Sequence, residues 1–133
     1  MASGIYNRFK ANLMNKVVDL EADVIKVALY DNSHAFTATD TDYTTTNELA
    51  TAGGYTQGGV TLAGKEVTQA ATTKWDGTDS AWTTSTFTAY HAVIYDSTAG
   101  NDLICSIDFG GAKEVADGTF TIQWDASGII TLA

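Results

Sequence analysis

Proline is absent from this chain, and cysteine occurs once, at position 105. A single thiol cannot close an intrachain disulfide, which fits synthesis in a reducing compartment. Without proline, one common guard of exposed sheet edges is missing, so edges must be covered by other segments or by neighbouring subunits. Histidine occurs only at positions 34 and 91, whereas a structural zinc site needs about four Cys or His ligands. No apolar stretch approaches the ~20 residues of a membrane span. The first residues carry no apolar run with a cleavage site, so no signal peptide is expected. Charged residues make up 17% of the chain, below the usual quarter or so.

Threonine fills that gap, with 21 residues in 133. Its β-branched side chain suits a pleated, half-exposed surface. The 44% hydrophobic and 11% aromatic content supports one folded domain with its own core. The net charge is −9, unevenly placed. Residues 1–18 hold Arg8, Lys10 and Lys16 and no acid, while all sixteen acids lie beyond them. An acidic body argues against nucleic-acid binding, because phosphate contacts need a basic footprint. The basic first segment suits an acidic partner surface or a solvated helix face.

Periodicity predicts a mainly β chain. In residues 3–20 Ile5, Phe9, Leu13 and Val17 recur every four positions, flanked by Tyr6 and Leu20. This predicts one amphipathic helix within 1–21, capped by Ser3, with its stripe on the domain's own sheet or in a partner's groove. The remainder, 22–133, reads as an antiparallel β-sandwich or a jelly-roll-like barrel of strands ~8–15 residues apart. DVIKVALYD (23–31) predicts a strand with Ile25, Val27 and Leu29 on one face. Strict alternation in TFTAYHAVIYD puts Phe87, Ala89, His91, Val93 and Tyr95 together. DLICSIDF, GTFTIQW and GIITL follow as strands, with FGGAKEVADG as a link and DASG as a hairpin turn. Residues 32–58 show no periodicity and are expected as a long loop that covers an edge or meets a partner.

Chemistry is sparsely supported. No G-x-S-x-G elbow places a nucleophile, and Cys105, between Leu103 and Ile107, reads as a buried thiol. Asp40 with Asp42, and Asp76 with Asp79, sit in loops of ordinary turn composition and lack the EF-hand pattern. GGYTQGG follows no strand-to-helix phosphate pattern. His91 reads as a packed strand residue. Trp75 and Trp82 flank a turn, and exposed rings there would suit a glycan platform. No catalytic residue, cofactor or metal ligand is assigned.

Four segments carry a resemblance: NELATAGGYTQGGVTLAG (47–64), TAYHAVIYD (88–96), LICSIDFGG (103–111) and GTFTIQWDASGIITL (118–132). Together they resemble a group of small tailed-bacteriophage virion structural proteins. The shared motifs are N-E-(L/V)-x-x-x-x-G-Y-T-x-G-G, Y-x-V-I-Y-D, (I/V)-D-F-G and W-(N/D)-x-x-G-I. The resemblance implies a non-enzymatic virion protein, made in the bacterial host cytoplasm, that decorates and cements the major capsid shell. A tail, fibre-base or head–tail connector subunit is the alternative, and a surface glycan-binding module a third. The expected partners are the major capsid protein or other virion proteins, with self-association into a homo-oligomer such as a trimer, and neither nucleic acid nor membrane. Amphipathicity and aromatic anchoring select Tyr6, Arg8, Phe9, Lys10 and Leu13 on the helix, and Phe36, Tyr43 and Tyr55 in the loop, as partner-binding residues.

Overall fold

The computed structural model describes residues 3–133. Its elements are β1 (Gly4–Ile5), α1 (Asn7–Met14), β2 (Ile25–Tyr30), β3 (Val60–Thr61), β4 (Glu66–Thr68), β5 (Thr73–Asp76), β6 (Ser80–Asp96), β7 (Asp102–Ile122) and β8 (Ile130–Leu132). A five-stranded antiparallel sheet runs β1-β7-β6-β2-β3, and a three-stranded one runs β4-β5-β8.

The expected β-sandwich or jelly-roll-like barrel does not form. Both sheets stay open, and neither closes into a barrel or curls strongly. Alternation reports which residues share a face, but not how strands are shared among sheets. Here the segments expected as separate short strands merge into one long hairpin of β6 and β7. FGGAKEVADG, expected as a link, is continuous strand within β7. The closing strand also pairs elsewhere: β8 joins β5, with Trp75 opposite Ile130, rather than forming a hairpin with its predecessor.

The hairpin turn is built locally. Asp96 accepts the amides of Thr98 and Ala99 at 3.0 and 3.1 Å. Gly100 and Asn101 then take left-handed φ of 66° and 64°, a conformation that Gly and Asn tolerate best.

Irregular register along the hairpin has two consequences. Opposite the step from Ala89 to His91, β7 runs from Lys113 to Asp108. The surplus residues include Gly110 and Gly111, both at positive φ. A second irregularity lies near Asp117, whose φ is 52° and whose amide is held by Thr86 Oγ1 at 2.9 Å. Bulges of this kind twist an exposed edge away from foreign strands, the task that proline would otherwise share. The first bulge also breaks the expected face. Ala89, Ala92 and Ile94 join one core cluster, whereas Val93 and Tyr95 join the other.

Around β2 and the turn-proximal parts of β6 and β7, the five-stranded sheet is therefore buried on both faces. One face packs Ile25, Val27, Leu29, Ile94 and Ile104 with Phe9 of α1 and with Trp75 of the small sheet. The other packs Ala28, Tyr30, Val93, Tyr95 and Leu103 under Tyr6, Phe36 and Tyr43. Residues 31–47 roof this second face, so the loop covers a face as well as edges. At one side Leu49 N donates to Leu29 O, and at the other Leu103 N donates to Thr41 O.

The helix is shorter than the expected span within 1–21, whose first two positions lie outside the described residues. Tyr6, not Ser3, is the N-cap, and no side chain caps it. Ser3 Oγ instead accepts the amide of Asp108. The helix stops where Lys16 turns left-handed at φ 59°. Asp19 then accepts the amides of Glu21 and Ala22 in a tight turn.

Candidate docking surface

Stopping α1 early leaves its apolar stripe only half covered. Phe9 is 2% exposed and seated in the core, whereas Leu13 is 42% and Val17 49% exposed, and Met14, off the stripe, is 89% exposed. The small sheet brings Val67 (39%) and Leu132 (67%) toward the same place. Between them runs a groove of about 400 Å³ with Phe9, Leu13, Val17 and Leu20 on the helix side and Val67, Trp75, Ile130 and Leu132 on the sheet side. Its few polar groups include Lys16 and Asp19. Monomeric proteins rarely leave several large aliphatic side chains grouped in the open unless a partner covers them.

Charge on the helix divides in two. Asn12 donates to Asp102 at 2.7 Å, and the Arg8 guanidinium lies 3.6 Å from the same carboxylate. Arg8 is thus partly spent on orienting the β7 start. Lys10 and Lys16 are exposed, and Lys16 shares the groove lining with Asp19.

The remaining sequence-selected residues fall mostly inside. Tyr6 is 1% exposed, its ring 4.9 Å from Phe36, and burial pushes its phenol up to about 12. Phe36 is partly buried and fills the place where a side chain at Gly4 would stand. Tyr43 stacks on Tyr95 at 4.3 Å. Tyr55 is 2% exposed and raised in pKa by burial and by its bond to Glu48. These four aromatics hold the loop to the sheet. Of the selected set, Leu13 lies open in the groove, and Lys10 is exposed on the same helix.

Sequence reasoning missed Met14, Val67 and Leu132. Met14 lies off the four-residue stripe, and Val67 and Leu132 sit in strands of three residues whose neighbours only the topology reveals. The glycan platform also falls away: Trp75 and Trp82 are 2% and 4% exposed, and the Trp75 indole donates to Leu20 O at 3.0 Å. Cys105 is buried, with burial pushing its thiol up to about 12. Among the described residues, no group of three or more His, Cys, Asp or Glu gathers as a metal site would. No helix among them is long and apolar enough to cross a membrane.

The N-E-L-x-x-x-x-G-Y-T-x-G-G segment proves to be a folding device. Glu48 accepts hydrogen bonds from Tyr43 and Tyr55 and from the Gly58 amide at 2.8 Å. Gly59 takes φ 82° pressed against the Val27 backbone, where no side chain fits. No family model, curated protein or solved structure matches the chain.

Proposed function

We propose that this chain is a non-enzymatic virion structural protein of a tailed bacteriophage that binds the major capsid shell and stabilises it. The observation that carries this reading is the open apolar groove between α1 and the small sheet, with Lys16 and Asp19 as its charged lining residues. A groove of this kind works by burying apolar surface against a partner. The four phage-like segments support the same reading, since the first of them builds a scaffold around Glu48 rather than a reactive centre. Repetition over a shell would multiply a modest single-site affinity, the more so if the protein self-associates as a trimer. Production in the host cytoplasm belongs to this proposal.

Co-sedimentation with capsids lacking the protein tests it. Saturation at a fixed, high copy number, with raised heat tolerance of the capsid, is the expected result. Leu13→Asp combined with Leu132→Asp should abolish binding while leaving the melting temperature within a few degrees, because both side chains are exposed. Binding at only a few copies would move the protein to a tail, fibre-base or connector position. Absence of binding to any virion part would overturn the proposal.

A further inference from the structure

We infer that the cavity beneath residues 34–47 is a binding site for a compact methylated ammonium group. It lies on the opposite face of the five-stranded sheet from the groove and is independent of the capsid reading. Its volume of about 400 Å³ is within the range of small-molecule sites.

The cavity has an aromatic and aliphatic floor and a polar rim that includes Thr41, Thr44, Thr46 and Asn47. Tyr6, Tyr30, Tyr43 and His34 supply rings, Val93 and Leu103 supply aliphatic floor, and Asp40 and Asp42 bring two carboxylates. No lysine or arginine lines it. Tyr6 and Tyr30 are almost fully covered and close the floor, whereas Tyr43 and His34 are partly exposed and are the rings a ligand meets. Tyr43 spends one face on Tyr95.

The hydroxyls of these rings are already engaged. Tyr30 donates to Thr44 O at 2.5 Å, and Tyr43 donates to Glu48. A ligand therefore meets ring surface more than phenolic donors. That composition discriminates among cations. A primary ammonium needs three hydrogen-bond acceptors when it leaves water, and the buried floor of Tyr6, Tyr30, Val93 and Leu103 is poor in them, the acceptors of Thr41, Thr46 and Asn47 standing at the outer rim. A methylated ammonium needs none and is drawn by aromatic faces. Asp40 and Asp42, both exposed, contribute field rather than direct coordination.

Titration with choline, followed by amide NMR shifts of residues 40–47, tests the site. Its neutral isostere, 3,3-dimethylbutan-1-ol, and n-butylammonium are run in parallel. Choline is expected to saturate at about millimolar concentration, with the isostere and n-butylammonium at least about tenfold weaker. Asp40→Asn with Asp42→Asn should weaken choline about fivefold without lowering the melting temperature, since both side chains are exposed. Tyr43→Leu should weaken it further. Equal binding of the isostere, preference for n-butylammonium, or no shift at saturating choline would each overturn the inference.

Discussion

The Tyr55 hydroxyl donates a 2.5 Å hydrogen bond to Glu48 and accepts the Leu29 amide at 3.0 Å. One phenol thus ties the long loop to Leu29, next to the C-terminal end of β2. Glu48 is 7% exposed and takes two further donors, Tyr43 and the Gly58 amide. Removing the carboxylate leaves the buried Tyr55 hydroxyl without its acceptor, at a cost of about 1–3 kcal/mol, with smaller losses at the partly buried Tyr43 hydroxyl and Gly58 amide. Glu48→Ala is expected to destabilise by about 3 kcal/mol or more, read as a lower urea midpoint. Glu48→Gln should cost less, because its amide oxygen still accepts.

Asp96 gives stability a slope at near-neutral pH. Its side chain is almost fully buried. Burial, then the carboxyl–carboxyl contact with Asp23, pushes it up to about 7 from an ordinary value of 3.8. The folded chain therefore holds a proton that the unfolded chain releases near pH 4. The associated stability is fully present below about pH 4 and is lost as pH rises through about 7. Melting temperature should fall across that window, and Asp96→Asn should flatten this part of the profile. A slope unchanged by the substitution would count against the shared proton.

The two histidines act in the opposite direction. His34 and His91 pack edge to face at 5.0 Å, and His34 Nε2 lies 3.0 Å from Ser106 Oγ. Burial, and for His34 then the neighbouring His91, lowers both. Asp31, Asp40 and Asp108 offset this in part. Their stability is present above the ordinary histidine value of 6.5 and is lost as pH falls below it. Protection factors in residues 31–38, corrected for the slower intrinsic exchange in acid, should fall on acidification. His34→Gln, which stays neutral, should remove most of that fall.

At the far end of the hairpin, Phe120 meets Trp82, Phe87 and Phe109 at ring distances of 5.9, 5.1 and 6.2 Å. This aromatic cluster anchors the β6–β7 ribbon beyond its contact with β2. Phe120→Ala should cost about 3–4 kcal/mol. Because β7 is exposed over most of its second half, the loss should appear first as faster exchange in 112–122, ahead of 102–107.

How much of this was legible in the sequence varied with range. β2 and its two faces follow from Ile25, Val27 and Leu29 against Ala28 and Tyr30, because alternation is a local property of an extended chain. The face assignment in β6 failed past Ala89, because alternation assumes a regular strand and the ladder is irregular between Ala89 and His91. Of the site residues, Leu13 was found by its helical spacing. Tyr6, Phe9 and Tyr55 have the same apolar character and are buried, since helical spacing and aromatic character do not report which side another element covers.

The amino-acid sequence by itself determined the acidic body, the basic first segment, the lack of disulfide and the predominance of strand. These depend on composition and on contacts between near neighbours. Tertiary structure decided that β8 pairs with β5, that the sheets stay open, and that residues 31–47 roof one face while the other face leaves a groove. Those outcomes turn on which distant segments meet, and long-range pairing is a competition among partners that no local pattern encodes.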